Sequence, residues 1–244
     1  MHKFFEYEIV DDISLITRHL DNTNDGHTRI VNCINPHSFV NALDDPEFKH
    51  ALMNCDYLLP DGEGICMTLR KYRGVEIKKI AGDDIHKELI SALSRIGGKV
   101  YYMGSSENVL RLIKERLEKE APSIEARFWS PTYCEELSKE ESMSIIEDIN
   151  NFAPDVLFVS MTAPKQEKWV EKYRGMLENV KIVASIGAVF DFYAGTVKRA
   201  PAWAVRMRIE WLIRLLKEPR RMWNRNFVST PKYLRYVKQY SSKI

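Results

Sequence analysis

The chain lacks the short motifs that assign the commonest chemistries. No G-x-G-x-x-G follows its first predicted strand, and it contains neither G-x-x-x-x-G-K-[ST] nor G-x-S-x-G. These absences exclude a dinucleotide fingerprint, a P-loop and a serine nucleophile elbow. No apolar run approaches the roughly 18 residues of a membrane span. The N-terminus reaches acidic residues without a long apolar segment, so we expect no secretory signal.

Residues that bind metals or form disulfides are few and scattered. The four cysteines, Cys33, Cys55, Cys66 and Cys134, form no C-x-x-C, and no two of the six histidines are three or four residues apart. This spacing favours reduced thiols in a cytosolic protein and supports neither a metal site nor a cofactor.

Charge is distributed unevenly along a chain of ordinary globular composition. Of the 244 residues, 45% are hydrophobic and 29% charged, enough to bury a sizeable core. Residues 196–244 contain 13 Lys and Arg against two Glu, whereas residues 1–195 contain 23 against 32 Asp and Glu. A basic end on an acidic body predicts an anionic partner: nucleic acid, anionic lipid or a phosphorylated substrate.

Strand-like and helical patterns alternate through the first four fifths of the chain. Apolar strands are predicted near 27–35, 57–60, 99–103, 123–129, 154–161 and 181–186, with helices between them. This alternation predicts an α/β fold with a Rossmann-like parallel sheet and helices on both faces. We therefore divide the chain into a catalytic body, 1–195, and a helical C-terminal appendage, 196–244, with helices starting near 201, 220 and 231.

The appendage mixes basic residues with aromatic ones, which leaves two interpretations open. Such a surface suits a membrane, where the rings lie at headgroup level. Alternatively, the helices pack on the body with their aromatics inward and their arginines solvated. The aromatic residues concerned are Trp203, Trp211, Trp223, Phe227, Tyr233, Tyr236 and Tyr240.

Polar residues follow the predicted strands, where the carboxyl ends of parallel strands form the usual ligand crevice. Asp61 lies between a strand and a helix and is either a general base or simply a helix N-cap. Helix N-termini near Ser105 and Pro164 would direct free N–H groups at a diphosphate. Each residue also has a simpler role as a cap or a solvated turn. The candidate set is Asn35, Asp61, Gly104, Ser105, Thr162, Pro164, Lys165, Gln166, Glu167 and Asp191.

Several of these residues belong to longer motifs that resemble the WecG/TagA/CpsF family of bacterial glycosyltransferases. The motifs recur in order from about residue 30 to residue 225. They are Asn35-Pro36, Pro60-Asp61-Gly62-x-Gly64, Ala81-Gly82-Asp83-Asp84, Pro164-Lys165-Gln166-Glu167, the run from Phe190 to Pro201, and the run from Glu210 to Arg221.

The resemblance implies an inverting, metal-independent transfer of a sugar from a UDP-sugar to a polyprenyl-diphosphate-linked saccharide. Asp61 would be the base, Asn35 would position the sugar, and Gln166 and Asp191 would line the donor site. Tyr133 would contact the uracil, although residues 129–134 do not match the family closely. Arg214, Arg221 and Arg225 would contact diphosphates. One departure is Cys33, where the family commonly has threonine, so the sugar preference is expected to differ.

The resemblance also implies a peripheral location on the inner face of the bacterial membrane. A subunit contact is an alternative use of the apolar residues in the tail. Two other function classes remain: a nucleic-acid-binding protein, against which the acidic body argues, and a UDP-binding module without catalysis.

Overall fold

The protein is organised around one eight-stranded sheet. The computed structural model describes residues 1–21, 26–131, 136–197, 215–216 and 219–244. The strands occur in the order β1-β2-β4-β3-β8-β7-β5-β6. They are β1 His2–Phe4, β2 Tyr7–Ile9, β3 Arg29–Ile34, β4 Tyr57–Pro60, β5 Lys99–Gly104, β6 Glu125–Trp129, β7 Val156–Ser160 and β8 Ile182–Ser185.

Helices connect the strands and also form the described part of the tail. They are α1 Ser14–Asp21, α2 Pro36–Asp44, α3 Pro46–Met53, α4 Glu63–Arg73, α5 Gly82–Ile96, α6 Glu107–Glu120, α7 Lys139–Phe152, α8 Lys165–Tyr173, α9 Val189–Ala194, α10 Pro219–Trp223 and α11 Thr230–Gln239. Short 3₁₀ segments span Arg174–Met176 and Ser241–Lys243, and a π-helical segment, Asn224–Ser229, links α10 to α11.

Consecutive strand residues enter different hydrophobic clusters, which shows that both faces of the sheet are covered. Tyr102 and Phe158 lie in one cluster, whereas Tyr101 and Leu157 lie in another. Because neighbouring side chains on a strand point to opposite faces, the helices must pack on both sides. The predicted α/β fold with a largely parallel sheet is confirmed. The sheet departs from it at one edge, where β1 pairs antiparallel with β2.

Helix ends follow local chemistry that was visible in the sequence. Asn35 caps α2 ahead of Pro36, as predicted, and Gly97 ends α5 in a left-handed conformation. The cap of α6 is Ser106, one residue beyond the predicted Ser105. Helix α7 begins at Lys139, and the Ser138 side chain caps it.

The described part of the tail packs on the body. Tyr233, Val237 and Ile244 are buried in the same cluster as Phe39 of α2. The Tyr233 hydroxyl lies 2.7 Å from the Thr68 hydroxyl on α4 and donates to the Gly64 carbonyl at 3.2 Å. Trp223 and Phe227 instead remain exposed. Inward packing is therefore confirmed for Tyr233, whereas the membrane interpretation stays a prediction for the exposed rings. Trp203 and Trp211 lie outside the described residues.

Candidate functional site

The carboxyl ends of β3 and β4 bring Asn35 and Asp61 together. The two strands are parallel neighbours, with Ile34 opposite Pro60, so the residue after each strand lies at the same edge. Asn35 Oδ1 accepts the backbone N–H groups of His37 and Ser38, each at 3.0 Å. The amide nitrogen must then face away from the helix, and Nδ2 donates to Asp61 Oδ2 at 3.4 Å. The cap of α2 therefore also orients the candidate base.

Asp61 does not cap the helix that follows it. The N-cap of α4 is Gly62, which makes no side-chain cap bond and has a φ of 106°. That conformation suits glycine and would strain a residue with a Cβ atom. Asn35 is the one hydrogen-bond partner of the Asp61 carboxylate among the described residues. The half-buried carboxylate is thus available to a substrate hydroxyl, and the simpler N-cap role is excluded.

Cys33 lies two residues before Asn35, between two carboxyl groups. Burial raises the pKa of its thiol well above the ordinary value, and the negative charges of Asp61 and Glu167 raise it further. The thiol is therefore protonated at neutral pH. The three described cysteines, Cys33, Cys55 and Cys66, are free, as predicted, although only Cys66 is fully buried.

Gln166 and Glu167, at the start of α8, are buried and not solvated. They are 4% and 3% exposed. The backbone N–H of Met161 donates to Gln166 Oε1 at 3.2 Å, and Gln166 Nε2 donates to Glu167 Oε1 at 2.9 Å. A solvated first turn is therefore wrong for both residues. The buried face of α8, which includes Trp169 and Val170, extends back over its first turn.

The ends of β5, β6, β7 and β8 lie close together, joined by a tight glycine contact and by serine hydroxyls that donate to backbone carbonyls. Gly104 has a φ of 120°, and a Cβ there would overlap the carbonyl oxygen of Ser160 on the neighbouring strand β7. The Ser160 hydroxyl donates to the Gly187 carbonyl after β8. Ser105 accepts the Ser130 hydroxyl at its carbonyl oxygen, at 2.9 Å. The edge of the sheet is thus continuous from β6 to β8.

The loop after β7 leads from this edge into α8. Thr162 is exposed, whereas Pro164 and Lys165 are half-buried. Pro164 is the N-cap of α8 and offers no side-chain cap bond. The Lys165 N–H donates to the Thr162 carbonyl at 2.9 Å, and the Glu167 N–H donates to its own carboxylate, so the first turn of α8 is not an open row of donors. A diphosphate site at this helix N-terminus stays a prediction.

Asp191 lies in the first turn of α9 rather than directly at a strand end. The Thr196 hydroxyl donates to its Oδ1 at 3.3 Å and to its carbonyl oxygen at 3.1 Å. Contacts among the described residues do not join Asp191 to the Asn35–Asp61 pair. Helix α9 follows β8 at the same edge, and the ribose role of Asp191 stays a prediction.

The tail reaches the site through α2. His37 Nδ1 lies 2.7 Å from the Ser229 hydroxyl, and Arg225 is close enough to lower the pKa of His37, although burial is the larger cause. Arg225 is therefore close to His37, which lies in the first turn of α2, two residues after Asn35. The side chain of Arg221 is not described, and Tyr133 and Arg214 lie outside the described residues.

Three residues that connect the tail to the site were not among the predicted site residues. His37, Ser229 and Tyr233 join the tail to α2 and α4, and contacts between residues so far apart leave no local signal. The burial of Glu167, in contrast, had a local signal in the sequence. The buried face of its helix repeats at helical spacing, at Gln166, Trp169, Val170 and Tyr173.

Within the described residues, no cluster of three His, Cys, Asp or Glu side chains could hold a metal ion. Nor does any described helix have the length and apolar composition needed to cross a membrane.

Comparison with known proteins identifies the family of this chain. The sequence profile of the glycosyl transferase WecG/TagA/CpsF family matches residues 5–243. A Bacillus subtilis (strain 168) protein named N-acetylglucosaminyldiphosphoundecaprenol N-acetyl-beta-D-mannosaminyltransferase is 29% identical over 204 residues, 84% of this chain and 77% of its own. A protein of the same name from Bacillus spizizenii is 30% identical over 203 residues, 83% and 76% of the two chains. The chain thus belongs to the WecG/TagA/CpsF family and is a glycosyltransferase.

Proposed function

We propose that this enzyme transfers a sugar from a UDP-sugar to a polyprenyl-diphosphate-linked saccharide with inversion at the anomeric carbon, in cell-surface polysaccharide synthesis. The observation that carries the proposal is the Asn35–Asp61 pair at the ends of adjacent strands, with a carboxylate left for a substrate hydroxyl. The names of the two Bacillus relatives support a lipid-linked acceptor and a sugar of the N-acetylmannosamine type. A related hexose or uronic acid is the alternative donor sugar.

The reaction is a direct displacement with Asp61 as general base. An acceptor hydroxyl oxygen attacks the anomeric carbon of the donor, and its proton passes to the Asp61 carboxylate. The bond from that carbon to the diphosphate oxygen breaks, and UDP leaves with the electron pair. Asn35 keeps one carboxylate oxygen occupied, so that the other is presented to the hydroxyl. Such positioned proton transfer contributes about 10²–10⁴-fold in rate.

The leaving diphosphate needs positive charge or N–H donors on the opposite side of the crevice. The start of α8 supplies the positive end of a helix dipole, and Arg225 adds a cation from the tail. Gln166 lines the donor site and Asp191 binds the ribose hydroxyls. These groups support a mechanism that requires no metal ion.

The tail places the enzyme on the inner face of the cell membrane. Trp223 is 61% exposed and contacts the ring of Phe227, with centroids 4.6 Å apart. This apolar surface adjoins Ser229, which contacts α2 at the site edge, and the exposed Lys232 and Arg235 follow it. Exposed rings beside cations match the interface of an anionic bilayer.

Vesicle sedimentation tests this location. Replacing both Trp223 and Phe227 by alanine is expected to reduce binding to anionic vesicles at least several-fold. Ile96→Ala is the matched control, since it removes an exposed apolar side chain at the end of α5, on the other edge of the sheet. Equal loss in both variants, or none in either, would remove the tail from membrane binding.

UDP release from a panel of UDP-sugars, with and without a short-chain lipid-diphosphate-GlcNAc acceptor, tests the reaction. Acceptor-dependent release from one donor, undiminished by EDTA, is expected. Loss of activity in EDTA that is restored by a divalent cation would contradict the metal-independent mechanism. UDP release that does not depend on the acceptor would contradict the transfer reaction.

A further inference from the structure

Glu167 is a buried carboxyl group that the proposed reaction does not use. It is 3% exposed, and Oε1 accepts the Gln166 amide at 2.9 Å. Its other oxygen, Oε2, is buried and has no hydrogen-bond partner among the described residues. A buried, half-satisfied carboxyl group is costly, and a neutral side chain of the same shape would avoid that cost. Its presence next to the site therefore requires an explanation.

The hydrogen bonds of Gln166 assign a role to this carboxyl group. The Met161 backbone N–H can only donate, so Gln166 Oε1 must face it and Nε2 must face Glu167. One N–H of Nε2 goes to Glu167, which leaves the second. Nε2 lies 4.0 Å from where a Cβ at Gly187 would be, beside the loop after β8. The atom that carries the second N–H thus lies at the ends of β7 and β8, between Met161 and Gly187.

We propose that Glu167 is a positioning residue of the donor site: its carboxylate holds the Gln166 amide so that one N–H faces the donor. This inference rests on the proposed function, since it needs Gln166 to contact the UDP-sugar. Glu167 itself is too deeply buried to touch the donor and acts through Gln166. The ionised carboxylate is the stronger acceptor, and protonation would weaken its hold on the amide.

The surroundings of Glu167 place this change near neutral pH. Burial raises its pKa to about 7, and the hydrogen bonds from Gln166 and its own backbone N–H only partly oppose the rise. The titratable group facing it from the sheet is the Cys33 thiol, which Asp61 and Asp84 also influence. The adjacent cation, Lys168, is paired with Asp45 and Glu47 on α3. Neither Cys33 nor Lys168 offsets the effect of burial on the pKa of Glu167.

Glu167→Gln tests the proposal, because glutamine mimics the protonated acid in shape and charge. For wild type, kcat/KM for the UDP-sugar is expected to fall about fivefold as pH drops through 7, a typical difference between charge-assisted and neutral hydrogen bonds. The variant is expected to show the low value throughout, through KM rather than kcat. Glu171→Gln, on the same helix but paired with Arg174, is the matched control and is expected to behave as wild type.

Two further measurements separate positioning from simple packing. In Gln166→Ala the fall in kcat/KM as pH drops through 7 is expected to vanish, because the amide through which Glu167 acts is gone. The free energy of unfolding of wild type is expected to fall as pH rises from 4.5 toward 7, since the folded pKa lies above the unfolded one. Glu167→Gln is expected to lose that dependence.

The outcomes distinguish this inference from the proposed function. Turnover in wild type with superimposable wild-type and Glu167→Gln profiles would overturn the positioning role alone. If Gln166→Ala keeps the fall in kcat/KM below pH 7, Glu167 does not act through the amide. Absence of wild-type turnover and of UDP binding would overturn the proposed function, and this inference with it.

Discussion

Replacing Asn35 by aspartate perturbs the proposed base through its nearest neighbour. Aspartate caps helices as well as asparagine does, so the N–H groups of His37 and Ser38 keep their acceptor. The amide nitrogen, however, becomes a second carboxylate oxygen facing Asp61 Oδ2 from 3.4 Å. The change therefore leaves the helix start intact and adds a negative charge where the wild type has a donor.

The size of the effect follows from that distance. Two unit charges 3.4 Å apart repel by about 1 kcal/mol in water and about 5 kcal/mol at an effective dielectric constant of 20. Because the pair is half-exposed, the lower half of this range applies, about 1–3 kcal/mol or 1–2 pH units. The repulsion is absent when the carboxyl groups are protonated. It appears as pH rises, so the variant loses stability toward neutral pH.

The assay is acceptor-dependent UDP release between pH 5 and 9. For Asn35→Asp, half-maximal activity is expected at a pH about 1–2 units higher than for wild type, with recovery near pH 9. Asn35→Ser is the matched control: serine keeps the cap and loses only the donor, so about fivefold loss without a pH shift is expected. An unshifted profile in an active, folded Asn35→Asp variant would refute the role of Asp61 as base.

Three predictions concern the scaffold around the site. Tyr233→Phe leaves the Thr68 hydroxyl without its 2.7 Å partner and is expected to cost about 1–2 kcal/mol in urea unfolding, with an unchanged m-value; an unaltered midpoint would contradict the contact. Gly104→Ala adds a Cβ that overlaps the Ser160 carbonyl at a positive φ and is expected to cost more than about 2 kcal/mol; a wild-type melting temperature would show that the strand ends can separate. Burial lowers the pKa of His86 to about 3, below its unfolded value, so stability is complete above about pH 6.5 and is lost as pH falls toward 3, by about 4–5 kcal/mol in total. In His86→Gln the free energy of unfolding is expected to depend less on pH over this range. An unchanged pH dependence would mean that other groups cause it.

Features determined by a few neighbouring residues were predictable from the sequence. Asn35 before Pro36 predicted the start of α2, and polar residues after apolar runs predicted where strands end. Because parallel strands end at one edge, the proximity of Asn35 and Asp61 also followed. The hydrogen bond between them confirms that reasoning.

Features that depend on tertiary packing were not predictable in this way. Helix α9 has only six residues, too few for a periodic signal, so Asp191 was assigned to a strand end. The unpaired oxygen of Glu167 depends on how α8 packs over the sheet. The contact of His37 with Ser229 joins residues 192 positions apart in sequence.

The most direct test of the central claim compares Asp61→Asn with wild type in acceptor-dependent UDP release, alongside UDP binding by calorimetry. Asp155→Asn is the matched control, because it removes a carboxylate that precedes β7, at the opposite edge of the sheet, where it accepts the Lys99 N–H at 2.8 Å. The account predicts a loss of at least about 100-fold in turnover for Asp61→Asn, with UDP binding retained and the control active. Full turnover by Asp61→Asn would contradict it.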